Sequence, residues 1–403
     1  MTHLALRNVF RHKGRAAITL GAIAFGVMSL ILSGGFVEDV FIQLREATIH
    51  SQLGHIQIQR TGYAKFGRTE PFKYLLSDPD RIARELARVD GVQVVLKRLN
   101  FSGLISTGRA DTPIIGEGVE PDKEARLGTL FQIYAGRQLT QKDALGVLVG
   151  RGVAASLHLK PGDPITLMTT TPDGAMNSLE FTVVGVFQTF AKEYDDRAIR
   201  IPLSAAQELL TTDSVHNLVL LLDATEHTDR VVSLLKRRLP MTTYEVLSWL
   251  DLADFYRGTV ALYQRQFGVL QFIILCMVVL GVANSVNMAI FERTGEFGTQ
   301  QALGDRRTRV FRLIMTETCL LGLLGSILGL GLGVALALFI SKLGIPMPPP
   351  PNSNTSYIAY IRLVPFVLVS AFAVGFLASV IAALLPAAKT TRLPIAEALR
   401  RNI

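Results

Sequence analysis

Charge is scarce in this sequence. Asp, Glu, Lys and Arg make up 18% of the 403 residues, where a soluble enzyme of this length carries about a quarter. Cysteine is nearly absent: Cys276 and Cys319 are the only two, and both fall in apolar runs. The long polar middle of the chain therefore holds no disulfide and relies on its own hydrophobic core. No G-x-x-x-x-G-K-[ST] occurs, so nothing here cradles ATP phosphates. The seven histidines are scattered, with His50 and His55 nearest to a pair and no Cys or H-E-x-x-H context, which argues against a metal site. A nucleophile elbow, G-x-S-x-G, is also missing. The acidic pair Asp195–Asp196 reads as a solvated turn. The sequence offers no catalytic centre.

The apolar residues, 49% of the chain, are concentrated. Ala16–Val37, Phe267–Phe291, Thr318–Ser341 and Leu363–Ala388 carry no charge, and each is about the 20 residues needed to cross a bilayer as a helix. The first has basic residues before it, but "LSGGFVEDV" lacks a small-x-small cleavage site and the run is retained as a span. Net charge is +8, and its location decides its meaning. Arg7, Arg11, Lys13 and Arg15 precede the first span. Arg293, Arg306, Arg307, Arg309 and Arg312 lie between the second and third, and Lys389, Arg392, Arg400 and Arg401 follow the fourth. The loop between the third and fourth holds only Lys342 and Arg362, at its edges. This is the positive-inside pattern, with both termini in the cytoplasm. The basic charge addresses a membrane and its lipids and implies no nucleic acid.

The expected architecture is a membrane protein with four transmembrane α-helices and a large α+β periplasmic domain inserted between helices 1 and 2. Its segments are a cytoplasmic 1–15, a first span 16–37, the external domain with helical stalks 38–265, and a second span 266–291. A cytoplasmic loop 292–309, a third span 310–342, an external loop 343–362, a fourth span 363–388 and a cytoplasmic tail 389–403 complete it. Stalks are expected because apolar residues keep helical spacing in "EDVFIQLREATIHS" and "LADFYRGTVALYQRQFGVL". Between them "GHIQIQR", "GVQVVLKRLNFSGLIS", "GVLVG", "PITLMTT", "LEFTVVGVFQTF" and "HNLVLLLD" read as strands. "DPDRIARELARVDG", capped by Asp78 or Asp80, "SAAQELLTT" and "EHTDRVVSLLKRRL" read as helices, and a break between two lobes is expected around residues 100–120 or 195–215.

Two features of the apolar half stand out. Gly325, Gly329 and Gly333 recur every four residues in the third span, a spacing that lets a second helix approach closely, in the same chain or in a partner subunit. Asn284, Ser285 and Asn287 are the polar residues of the second, read as bridges between helices. In the cytoplasmic loop, "ERTGEFGTQQALGDRRTRVF" reads as a short helix stopped by Gly304, with Asp305 capping the next. Gly295 and Gly298 each cost about 1 kcal/mol against alanine, so docking to a partner would be needed to hold it.

The segment "ERTGEFGTQQALG" resembles the cytoplasmic coupling segment of FtsX/MacB-type ABC transporter permeases, E-R-x-x-E-I-G-x-x-[KR]-A-L-G. Glu292, Arg293, Glu296, Gly298, Ala302, Leu303 and Gly304 match, with Phe297 in place of isoleucine and Gln301 in place of a basic residue. The opening "ALRNVFRHKGRAAITLGAIAFGV" and the ending "PAAKTTRLPIAEALR" are similar to that family's as well. The resemblance implies a cytoplasmic ABC ATPase on a separate chain, holding ATP and Mg, and a second permease subunit, identical or paralogous. It implies a site in the bacterial inner membrane, and no catalysis or cofactor on this chain. The layout is closest to the lipoprotein-releasing permeases, which implies mechanical extraction of lipophilic cargo and a periplasmic lipoprotein carrier or adaptor. MacB-like peptide or drug export and FtsX-like activation of cell-wall hydrolases are the alternatives within the family. An ATP-independent receptor is the alternative outside it, and lacks a cytoplasmic output domain here.

Overall fold

The computed structural model describes residues 13–67, 69–126, 131–189, 191–348 and 356–391. The N-terminal residues through 12 and the ending motif beyond Thr391 lie outside them. Two compact units result: one comprising residues 1–42, 260–347 and 358–403, the other residues 43–259 and 348–357.

Helices of more than one turn are α1 (Lys13–Thr48), α2 (Pro79–Leu86), α3 (Arg151–Leu157), α4 (Leu203–Leu210) and α5 (Thr228–Arg238), followed by α6 (Asp254–Glu292), α7 (Thr294–Ala302), α8 (Arg307–Leu343) and α9 (Pro365–Thr390). Four of them, α1, α6, α8 and α9, are long and apolar enough to cross a membrane. The 36 residues of α1 and 39 of α6 correspond to about 54 and 58 Å at 1.5 Å per residue, well beyond a 30 Å hydrocarbon core. In the first unit α1, α6, α8 and α9 share one core, with Ile23, Val27, Ile31, Val282, Ile314 and Ala383 all nearly or fully buried. Asp39 of α1, fully buried, accepts from the Tyr360 backbone N–H at 2.9 Å and from Arg362 Nε at 2.8 Å. That bond pair fixes the chain leading into α9. Asn284 and Asn287 are exposed on the outside of this unit, so they make no bridge within it.

The second unit is α+β. Its strands are β1 (Ile56–Arg60), β2 (Val92–Ser106), β3 (Asp111–Val119), β4 (Gln132–Gly136) and β5 (Gly146–Gly150), then β6 (Pro164–Thr170), β7 (Met176–Gln188), β8 (Ala198–Pro202), β9 (Asn217–Leu222) and β10 (Tyr244–Ser248). An antiparallel sheet in the order β10-β1-β9-β2 uses only the first half of β2, through Arg98. From Leu99 onward β2 pairs instead with β3, and β8, β5, β7 and β6 continue the pairing back to β2. The second lobe is thus a closed six-stranded ring with β4 hung on β7, and closure removes the exposed edges that invite aggregation. One strand running through both lobes makes β2 the spine of the unit.

The alternation of β1 places Ile56 and Ile58 in the core with Leu218, Leu220 and the apolar face of α2, Ile82 and Leu86. Asp78 precedes α2 with φ +54 and makes no cap bond; its carboxylate pairs with Arg81 and that of Asp80 with Lys97. Pro79 at the first helical position starts the helix instead. Asp195 is also not solvated. It is fully buried and accepts from Thr189 N at 3.0 Å and Thr189 Oγ1 at 2.7 Å, closing the turn after β7.

Two buried histidines are held neutral. His55 Nδ1 accepts from the Leu222 N–H and His216 Nδ1 from the Asn100 N–H, which leaves each Nε2 to donate, to Thr225 Oγ1 and the Pro71 carbonyl. Burial pushes both down from 6.5 to about 4. A depressed folded value means that neutrality favours the fold above pH 6.5 and that this contribution is lost as pH falls through about 4. Stability of this unit is expected to be flat above pH 6.5 and to decline toward pH 4. His216→Asn should flatten part of that decline in a pH series of thermal midpoints.

Candidate functional site

The loop segment Glu292–Gly304 begins where α6 breaks. Arg293 has φ −103 and ψ 8, between helices, and its guanidinium is what fixes the break. It donates from Nη1 to Glu317 Oε2 of α8 at 2.7 Å and from Nε to Glu296 Oε2 at 3.1 Å, and it lies 5.0 Å over the Phe297 ring. Phe297 is 3% exposed and joins the core of the helical unit with Ile290, Val310 and Ile314. The phenylalanine in place of isoleucine is therefore an internal packing position. At the other end Asp305 N donates to the Gln300 carbonyl and Gly304 N to that of Gln301, around Gly304 at φ +102. This is the Schellman stop, which a residue with a Cβ would strain. Asp305 does not cap α8; it pairs with Arg309 at 2.6 Å.

The segment is thus anchored from within. Arg293, Thr294, Phe297 and Gly298 face inward, while Glu292, Glu296, Ala302, Leu303 and Gly304 are exposed. Leu303, at 84%, is the most exposed large apolar residue of the described chain. An amphipathic pair of carboxylates beside a bare leucine is suited to docking and offers no chemistry.

The glycines of α8 face α1 of the same chain. A Cβ on Gly325 would meet Ile23 Cβ at 2.9 Å, one on Gly329 the Ala24 carbonyl oxygen at 2.7 Å, and one on Gly333 Ile31 Cδ1 at 2.9 Å. The four-residue spacing is a groove that α1 fills.

In the other unit, sequence reasoning missed a buried ion cluster. Arg98 Nε and Nη2 donate to the two oxygens of Glu124 at 2.7 and 3.1 Å. Arg200 lies 3.6 Å from Glu124 and donates to Glu117 at 3.1 Å, with its guanidinium 4.5 Å over Phe131. Both arginines also reach the turn that follows α1, Ile49–Leu53: Arg98 Nη1 donates to the Gln52 carbonyl and Arg200 Nη2 to that of Ser51 at 3.4 Å. Gln57 Nε2 takes the next carbonyl, Leu53, at 2.9 Å. The carbonyl end of a helix carries partial negative charge, and here it is held by two guanidinium groups and an amide. The signal for it was an arginine inside an apolar strand run, in "VVLKRLNF" and "AIRIP".

With this geometry in view, the comparisons are consistent. The MacB-like periplasmic core domain matches residues 16–238, and the FtsX-like permease C-terminal domain residues 268–395. The chain belongs to the FtsX/MacB-type ABC transporter permease family. It is 24% identical over 331 residues to the lipoprotein-releasing system transmembrane protein LolC of Xylella fastidiosa, covering 80% of this chain and 76% of that one. An uncharacterized ABC transporter permease of Methanocaldococcus jannaschii is 25% identical over 208 residues, half of each chain. The macrolide export protein MacB of Psychrobacter arcticus is 24% identical over 246 residues, 58% of this chain and 35% of that one. This chain thus spans about half the length of the Methanocaldococcus jannaschii relative.

Proposed function

We propose that this chain is the permease subunit of an ATP-driven complex in the bacterial inner membrane, with both termini cytoplasmic. A separate ABC ATPase, carrying ATP and Mg, seats on the exposed face of Glu292–Gly304. The observation that carries this reading is the division of that segment into an inward side, Arg293 and Phe297, and a solvent-exposed side, Glu292, Glu296 and Leu303. A push on the exposed side passes through Glu296 to Arg293 and on to Glu317, hence directly into α8. A second permease subunit, identical or paralogous, covers the outward face of α6, where Asn284 and Asn287 sit among exposed Met277, Leu280 and Met288. Lipoprotein release or related lipophilic export by mechanotransmission, with a periplasmic carrier or adaptor, is the favoured task, supported by the alignment with LolC over four fifths of this chain.

The test is reconstitution with the cognate ABC ATPase. Glu292→Lys combined with Leu303→Asp is expected to lower permease-stimulated ATP turnover by at least about tenfold, the scale of losing an interface hot spot. Membrane insertion and thermal midpoint should be unchanged, because both side chains are exposed. Full stimulation by the double variant removes the segment from the coupling path.

A further inference from the structure

Within the second unit a cavity of about 1150 Å³ opens between the β10-β1-β9-β2 sheet and the six-stranded ring. Its floor is a row of carboxamides. By strand alternation Gln57 and Gln59 point away from the core that holds Ile56 and Ile58, and Gln59 is paired in register with Asn217 of β9. Most of this floor is internally satisfied. Asn217 Nδ2 donates to Gln57 Oε1 at 3.0 Å, and Asn100 Nδ2 donates to Asn217 Oδ1 and to the Tyr63 hydroxyl, each at 3.1 Å. The Tyr63 oxygen is occupied as an acceptor and keeps its own proton to give.

One group breaks the pattern. Gln59 is 2% exposed, lines the cavity, and its Nε2 has no hydrogen-bond partner. A donor left buried and unpaired costs about 1–3 kcal/mol, so Gln59 Nε2 is a group that a bound acceptor would satisfy. The missing partner is an acceptor oxygen. An anion is disfavoured, because Glu117, Glu193 and Asp196 on the lining outnumber Arg197. A sugar would need an open aromatic face, and the four lining rings pack on neighbours: Tyr63 stacks on His216 at 5.0 Å, Phe72 lies against the same histidine, Tyr194 lies against Phe187, and Phe101 is 5% exposed. The volume exceeds the usual range of about 300–1,000 Å³ for a small-molecule site and accommodates a chain segment; four extended residues span about 13 Å.

We propose that this cleft binds an extended, uncharged segment of another polypeptide, taking its main-chain carbonyl oxygens with Gln59 Nε2 and the Tyr63 hydroxyl. The peptide group pairs an N–H donor with a carbonyl acceptor, and each carboxamide of the floor can meet both, with two N–H donors and one carbonyl oxygen. The binding is independent of ATP and of the coupling segment.

The experiment titrates purified full-length protein in detergent, without nucleotide, with tetra-alanine capped as N-acetyl and C-amide, followed by calorimetry. Saturable binding is expected, weakened about tenfold by Gln59→Met and by a similar factor by Tyr63→Phe, each the equivalent of one hydrogen bond. Thermal midpoints serve as the second measurement. Gln59→Met without peptide should melt at or above the parent temperature, since it removes an unpaired donor. The proposal is overturned if the peptide does not saturate, if Gln59→Met binds it as tightly as the parent, or if maltotriose occupies the site in its place. A lower melting temperature for Gln59→Met overturns it as well, because the amide would then already have a partner.

Discussion

Replacing Glu124 with glutamine is expected to destabilise the α+β unit by about 3–5 kcal/mol, the range for breaking a buried ion pair from one side. Glu124 is the shared counter-charge of Arg98 and Arg200, and all three side chains are less than 5% exposed. Without it two guanidinium groups remain buried with only Glu117 between them. The readout is the guanidinium unfolding midpoint of the intact protein followed by its one tryptophan, Trp249, which is buried in this unit. The comparison that isolates the cause is the fourfold replacement Arg98→Met, Glu117→Leu, Glu124→Leu, Arg200→Met, which also removes the carboxylate paired to Arg200. Removing all the charges should recover most of the lost stability, while the carbonyls of Ser51 and Gln52 lose their donors. Stability would then return without the hold on the turn after α1, and a coupled transport assay would separate the two roles. Acid acts in the same direction. Burial alone would raise the Glu124 carboxyl, but Arg98 and Arg200 outweigh it and hold it below 4.5. Its contribution is present above pH 4.5 and is lost as pH falls through the depressed value.

The parts of the molecule that were legible in its sequence are those where a single local rule dominates. Spans are set by the length of uncharged runs, and strands such as Pro164–Thr170 by β-branched alternation between turn residues. The stop at Gly304 is set by the one residue type that tolerates φ +102. What stayed hidden depends on partners distant in sequence. β3 contains Pro113, Gly116 and Gly118 and has little strand propensity, and it is held by ladders on both sides, to β2 and to β8. Gly116 is glycine because the Phe101 ring occupies the place of its side chain. Asp195 and Asp39 look like surface carboxylates until the groups that donate to them, Thr189 and Arg362, are placed. The segment Glu292–Gly304 stands out by pattern, but the pattern could not divide it into inward-facing and exposed residues. That division came from Glu317, 24 residues after Arg293 and on another helix.

Gly329→Leu is expected to be the most disruptive change among the three spaced glycines of α8. A first side-chain carbon at this position would already stand 2.7 Å from the Ala24 carbonyl oxygen and 2.8 Å from Val27 Cβ. Neither can yield as a flexible side chain would: the first is backbone, and the second is a branched carbon at the root of a buried residue. A leucine would force α1 and α8 apart, and the neighbouring contacts at Gly325 and Gly333 would open with it. Overpacking a core costs about 1–3 kcal/mol when neighbours can adjust, and more is expected here, where a whole helix must move. The control is in the same helix. Gly331 has nothing within 4 Å of its added carbon, so Gly331→Leu carries the same gain in helix propensity and bulk without the clash. A thermal midpoint in detergent lowered by several degrees for the first variant and unchanged for the second would assign the four-residue glycine spacing to contact within one chain. Equal behaviour of the two would mean that α1 does not occupy that groove, and loss at Gly331 alone would move the packing face to a second subunit.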